Sequence, residues 1–361
     1  MEKFTGIENP IGSYSCYINV VLQALIHLPS FVNAYQAEPE HEHPAGTICL
    51  KCELRDLLYL NSVPDISELT SKIIRKCLDS VTFHRLLINQ MGCATEAFEE
   101  ILKYLHREGI DFQEGESQSA TAQELANDSP CTPLCLAHKV FGYQACDAWS
   151  CSCNDDTEIE NPTQDMILRV YVEELRECLI RNEWEEALLK CVKAKETNCN
   201  KCGHLMNSNK LLIEAPKVLA ISLIWNELTS QGIEDFLLHL SPVLDLSHVF
   251  TITGQNREIQ TRYILRGFIC FSLGHYFAFV WNLDSSKWIK LDDTVVRDVE
   301  NWETLCNKMV RGKMTPILIL YESAEFLDTL YNSPCWKESE YISLAGLNWG
   351  TFPHTHSCQI Y

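Results

Sequence analysis

The sequence predicts an α+β protein, with helices gathered in its first third and an antiparallel sheet in its second half, on three observations. Segments 53–61, 66–80 and 92–106 carry apolar residues at three- and four-residue spacing, as in Ala97, Ile101, Leu102 and Leu105. Beyond residue 165 the texture changes to short β-branched or aromatic runs bounded by turn residues. Between the two lies 107–134, polar, acidic and without periodicity, which reads as a loop.

In chain order, SCYINVVLQALIHL (15–28) is apolar around most of its circumference, so it reads as a buried helix, with Ser15 as its N-cap and Cys16 on its first turn. The strands expected in the second half are 166–172, 210–214, 218–225, 263–273, 276–281, 288–291 and 317–322. Helical spacing returns over 173–192 and 231–248, and the tail 323–361 is weakly patterned and receives no role.

The chain has 361 residues, with 29 Lys+Arg against 49 Asp+Glu and a formal charge of −20, a balance that argues against a nucleic-acid binder. A 46% hydrophobic fraction and 22% charged residues indicate a folded globular protein. No run approaches the roughly 18 to 20 apolar residues of a membrane helix, and the start lacks a secretory apolar core, so neither membrane nor secretion is expected. Eighteen cysteines then point to thiolates used for metal binding or catalysis in the cytoplasm or nucleus, not to a disulfide framework.

Three constellations carry chemistry. A thiol on the first turn of a buried helix, Cys16, meets the positive end of the helix dipole, which favours the thiolate nucleophile. In LGHYFAFVWNLDSSKWIKLDD (273–293) two strands flank the turn residues Asp284-Ser285-Ser286, and folding about that turn brings His275 close to Asp292. A histidine oriented by a carboxylate accepts a thiol proton and returns it to a leaving amine, so Cys16, His275 and Asp292 make a candidate triad for acyl transfer. Paired cysteines supply the third constellation. Cys199 and Cys202 form a CxxC, Cys151 and Cys153 a CxC with Cys146 nearby, and His41, His43, Cys49 and Cys52 fall within twelve positions; each set suits tetrahedral zinc.

GIENPIGSYSCYINVVLQAL (6–25) resembles the cysteine box of the ubiquitin-specific proteases, and GHYFAFV with WIKLDDTVV (274–280 and 288–296) resembles their histidine box, in the same order. ATEAFEEILKYLH (94–106) is similar to the helix after the family's Gln-Asp-Ala box, with Cys93 where Asp is usual. The spacing from Asn9 to Cys16 is similar to a divergent branch found in plants and animals, whose cysteine box is one residue longer.

The resemblance implies a papain-like cysteine peptidase fold with a thumb at about 4–140, zinc-clipped fingers at about 141–225 and a palm at about 226–322. It implies hydrolysis of the isopeptide bond after the C-terminal Gly of ubiquitin, with ubiquitin, polyubiquitin and ubiquitinated proteins as partners. In the common pattern an oxyanion-binding Asn stands where this chain has Ile11, which leaves Asn9 as the candidate donor. Asp293 either assists polarisation or caps the turn. Two further readings stay open: a ubiquitin-binding pseudoenzyme, and a peptidase for a ubiquitin-like modifier.

Overall fold

A computed structural model describes residues 3–39, 49–81, 91–107, 131, 134–179, 183–227, 229–252 and 259–331. The N-terminal part comprises β1 (Gly6–Ile7), α1 (Cys16–Ile26), α2 (Pro29–Gln36), α3 (Leu50–Ser62), β2 (Glu68–Leu69), α4 (Lys72–Val81), α5 (Ala94–Arg107) and α6 (Leu136–Phe141). There follow β3 (Tyr143–Cys151), β4 (Asn154–Ile159), β5 (Thr163–Asp165), β6 (Leu168–Tyr171), α7 (Val172–Leu179), α8 (Trp184–Val192), β7 (Asn207–Glu214), β8 (Val218–Ile224) and α9 (Ser230–His239). The chain continues with β9 (Val243–Asp245), β10 (Thr251–Ile252), β11 (Arg262–Ser272), β12 (His275–Asn282), β13 (Lys287–Asp292), β14 (Val295–Val299), α10 (Trp302–Arg311), β15 (Thr315–Ser323) and α11 (Ala324–Tyr331).

One large sheet runs β14-β13-β12-β11-β15-β8-β6, with β9 added along β11; its pairings are antiparallel except for β6 on β8. A smaller sheet, β10-β7-β3-β4 with β5 on β3, is hydrogen-bonded separately, and Tyr143, Ala145 and Leu212 at its near end pack into a core shared with the large sheet. Strands β6 and β8 lie inside the segment 141–225 expected as fingers, yet both pair in the large sheet.

Alternation along β12 explains how both faces of that sheet are covered. Ala278 and Val280 join the core shared with α1 and α5, while Phe277, Phe279 and Trp281 point into a second core with Trp288, Trp302 and Phe236. A small residue faces α1 and aromatics fill the far side, so the helix seats close to the strands. All eleven residues of α1 are buried, as its circumferential apolarity predicts.

At the C-terminal end of α1 a buried ion pair locks helix to sheet. The Arg266 Nε donates to Glu322 Oε2 at 3.0 Å, its Nη1 to the Trp281 carbonyl at 2.8 Å and its Nη2 to the His27 carbonyl at 3.3 Å. Glu322 Oε1 in turn accepts the Ser30 amide at 2.6 Å, at the start of α2. Both side chains are fully buried.

Several expectations are revised. Ser15 sits at the N-cap position of α1, but its hydroxyl makes no capping bond; it accepts Arg75 Nη1 at 2.6 Å instead. The segment expected as one helix over 173–192 holds α7 (Val172–Leu179) and α8 (Trp184–Val192), and 231–248 stops being helical at His239, beyond which β9 joins the large sheet. The patterning also misses α10, whose Asn301 caps it by accepting the Thr304 amide at 2.8 Å. Among the described residues no single helix is long and apolar enough to cross a membrane.

Replacing Arg266 with Leu strands a buried carboxylate and should destabilise the fold by about 3 to 5 kcal/mol. The double variant Arg266→Met/Glu322→Leu should recover much of that loss. Thermal unfolding checks both; equal melting temperatures for wild type and Arg266→Leu would show that the pair does not hold the helix.

Candidate active site

The segment leading into α1 is bent by two residues in the left-handed region, Gly12 at φ 80° and Tyr14 at φ 52°. Asn9 organises it: its Oδ1 accepts the Ser13 hydroxyl at 2.7 Å and the Ser15 amide at 3.0 Å. The bend delivers Cys16, buried, as the first residue of α1. There the backbone N–H groups of the opening turn point away from the helix, toward any group bound beside the sulfur.

His275 opens β12 after a two-residue turn formed by Leu273 and Gly274, both left-handed at φ 49° and 77°. Paired left-handed residues make the turn type whose twist matches a hairpin. The β12–β13 register, which aligns Ala278 with Leu291, brings His275 and Asp292 to the same sheet end. His275 Nε2 lies 2.7 Å from Asp292 Oδ1, leaving Nδ1 as the ring nitrogen for the sulfur of Cys16. Asp292 Oδ2 accepts Lys290 Nζ at 2.7 Å.

The electrostatics follow from these contacts. The hydrogen bond to Asp292, and after it that to Cys16, pushes His275 up to about 10, against burial that opposes the charge. The same bond to His275 holds Asp292 down to about 2. The histidine's contribution to stability is therefore complete below 6.5 and lost as pH rises through about 10. That of Asp292 is present above 3.8 and lost as pH falls through about 2. Across the neutral range the two are an imidazolium–carboxylate pair.

Asp293 joins the two halves of the site. It takes a left-handed φ of 51°, its Oδ2 accepts Asn9 Nδ2 at 2.7 Å and its Oδ1 accepts Asn19 Nδ2 at 2.9 Å. Its carbonyl accepts Gln23 Nε2 at 3.0 Å and the Ile7 amide at 2.9 Å. Asn19 and Gln23 are buried amides on an otherwise apolar helix, three and seven residues after Cys16, so one face of α1 holds sulfur and both amides. Spacing alone carried this signal, since two amides at helical intervals from a candidate nucleophile need a buried partner. The Asn9 amide therefore goes to the Asp293 carboxylate, and Ile11 is fully exposed.

Of the metal-ligand candidates, Cys151, Cys153, Cys199 and Cys202 converge, with all four sulfurs within 4.8 Å of one another. Cys151 Sγ lies 3.4 Å from Cys202 and Cys153 Sγ 3.5 Å from Cys199, so the CxC spacing still presents two ligands and Cys146 lies outside the cluster. The amides of Cys202 and Lys201 hold the Cys199 thiol down to about 6, while shared hydrogen bonding with Cys151 pushes Cys153 up to about 12. Four sulfurs gathered around one point are a donor set that fits tetrahedral zinc. Cys49 is buried at the start of α3 and Cys52 is half-buried within it, whereas His41 and His43 lie outside the described residues.

In Asp292→Asn the imidazole of His275 should titrate well below 10, toward 6.5, because its largest stabilising contact is weakened. Its ring resonances followed by NMR against pH check this; an unchanged midpoint would remove Asp292 as the group that holds the charge.

The ubiquitin carboxyl-terminal hydrolase family model matches residues 5–327. Ubiquitin carboxyl-terminal hydrolase 54 of Rattus norvegicus is 26% identical over 332 residues, covering 88% of this chain and 20% of that protein. Ubiquitin carboxyl-terminal hydrolase 53 of Homo sapiens is 25% identical over 338 residues, covering 89% and 30%. The chain thus spans less than a third of the length of these curated relatives. Among solved structures, the SAGA Ubp8/Sgf11/Sus1/Sgf73 DUB module bound to ubiquitin aldehyde is similar with a TM-score of 0.63 at 17% identity, over 90% of this chain and 70% of that one. The Ubp8(C146A) module bound to monoubiquitin gives 0.60 at 18%, over 90% and 70%. Given the match over most of its length and the shared α+β fold, this chain belongs to the ubiquitin carboxyl-terminal hydrolase family.

Proposed function

We propose that the chain is a thiol-dependent deubiquitinase that hydrolyses the isopeptide bond after the C-terminal Gly of ubiquitin. The observation that carries this reading is the convergence of Cys16, His275 and Asp292, brought together from opposite ends of the chain. A binding module has no physical need of a nucleophile, a base and an orienting carboxylate in one place.

In this reading the proton of Cys16 already rests on His275 Nδ1 at neutral pH, and Asp292 holds that imidazolium through Nε2. The sulfur attacks the Gly carbonyl, and His275 protonates the departing lysine amine. Water, deprotonated by the same imidazole, then releases the acyl group. Backbone N–H groups at the start of α1 supply oxyanion donors, and Asp293 aligns that helix with the hairpin through Asn9, Asn19 and Gln23. Zinc held by Cys151, Cys153, Cys199 and Cys202 would clip β3–β4 to the residues before β7, giving the small sheet its rigidity. A net charge of −20 suits a partner with basic surface, and eighteen cysteines suit the reducing cytoplasm or nucleus.

A second reading, ubiquitin binding without turnover, draws on one observation: the side-chain amide of Asn9 already serves the Asp293 carboxylate. A probe experiment separates the two. Ubiquitin carrying a C-terminal thiol-reactive electrophile should form a covalent adduct with the wild type and none with Cys16→Ala, and Asp292→Asn should lower kcat/KM by about 10²- to 10⁴-fold. No adduct from the folded wild type, with ubiquitin still bound, would favour the second reading; an adduct with a ubiquitin-like probe alone would reassign the modifier.

Elemental analysis should find zinc in the purified protein and one equivalent fewer in Cys199→Ser/Cys202→Ser. Equal zinc in both would remove the metal from the fingers.

A further inference from the structure

We propose a second metal centre, in the helical lobe, in which His106, Cys131, Cys135 and His138 hold one zinc ion. The four ligand atoms lie within 4.8 Å of one another. His106 Nδ1 is 3.0 Å from Cys131 Sγ and 3.5 Å from Cys135 Sγ, and His138 Nδ1 is 3.3 Å and 3.2 Å from the same two sulfurs. Zinc bonds of about 2.3 Å to sulfur and 2.0–2.1 Å to nitrogen set tetrahedral sulfur–nitrogen edges of roughly 3.5 Å. The observed edges, 3.0 to 3.5 Å, sit at that value or up to about 0.5 Å inside it.

Proton counting separates a metal from a hydrogen-bonded quartet. Each sulfur faces both imidazoles and each Nδ1 faces both sulfurs, so four contacts need filling. A neutral imidazole's Nδ1 is either donor or acceptor, and each thiol has one proton, so hydrogen bonds fill at most three of the four. A single cation fills all four. The rings meet edge-on at 85°, with centroids 4.8 Å apart, so their Nδ1 atoms converge without the planes stacking. The His138 amide also donates to Cys135 Sγ at 3.4 Å, a contact that favours a thiolate.

The chemistry balances without a further counter-ion. On binding Zn²⁺ the two thiols release their protons to solvent, and two thiolates with two neutral imidazoles leave the centre with no net charge. That suits a site in which Cys135 is buried and the other three ligands are half-buried. Two soft thiolates and two imidazoles favour zinc over magnesium or calcium, which take oxygen ligands.

Placement gives the centre its role. His106 ends α5, Cys135 caps α6 and His138 lies within α6, and Cys131 stands 25 residues beyond His106. The metal would close that long connection and fasten α5, which packs on α1, to α6, which runs directly into β3 of the small sheet. The centre is built from residues separate from both the finger thiols and the Cys16 site, so it stands or falls independently of the catalytic reading.

The test measures metal bound by the full chain. Elemental analysis should show one zinc equivalent fewer in Cys131→Ser/Cys135→Ser than in the wild type, and two fewer when Cys199→Ser/Cys202→Ser is added. Because loss of two core thiols can unfold the lobe, a second arm uses His138→Cys, which keeps four ligands. That variant should retain full zinc, and after reconstitution with Co²⁺ it should show a stronger sulfur-to-cobalt charge-transfer band than the wild type, from the added thiolate. Equal zinc in the wild type and Cys131→Ser/Cys135→Ser, or identical cobalt spectra in the wild type and His138→Cys, would overturn the proposal.

Discussion

The seating of α1 on the large sheet is the constraint from which the site follows. The helix is eleven residues long, about 16 Å, and it is pinned at both ends by polar contacts while its flanks are apolar. At the C-terminal end Arg266 reaches the His27 carbonyl and pairs with Glu322, which holds the start of α2. From the N-terminal end to past the middle of the helix, Asp293 receives Asn9, Asn19 and Gln23. Apolar burial supplies the attraction but no register along the axis, since it is non-directional. The two polar clamps supply that register, and a sulfur that exchanges a proton with an imidazole must be held at hydrogen-bond distance with a tolerance of a fraction of an ångström.

Asp292 and Asp293 are neighbours with separate tasks, and backbone geometry separates them. Asp292 is the last residue of β13 and points to His275, while Asp293 turns into the left-handed region and addresses α1. Gly6 completes this packing: a Cβ there would stand 2.5 Å from the backbone of Thr294, so the absence of a side chain lets β1 lie against the turn that carries both carboxylates. The imidazolium therefore faces one carboxylate at 2.7 Å and a second at 3.9 Å, each committed to a different neighbour.

Sulfur and imidazole side chains gather where hydrophobic burial is thin. The far end of the small sheet has only a minor core of Cys151, Cys199 and Met206 with Trp149 against them, little apolar area to fix the turns there. A metal held by the four thiols gathered at that point would replace burial with coordination, and the proposed centre between α5 and α6 would do the same for a long connection otherwise closed at full entropic cost.

By itself the sequence determined the class of fold, the buried character of α1, the hairpin that returns His275 to Asp292, and the cysteine pairs of the fingers. All of these rest on local periodicity or on short spacings, which a chain expresses wherever it folds. It left α10 and the strands β3–β5 unmarked, because polar and charged residues interrupt their apolar pattern. Only the tertiary structure decided that Asp293 joins Asn9, Asn19 and Gln23, that Ser15 serves Arg75, and that His106 meets Cys131, Cys135 and His138. These are contacts between residues tens to hundreds of positions apart, or convergences of single ligands from separate elements, and no periodicity along the chain encodes them. They exist because a buried polar group must find a partner wherever packing brings one within reach.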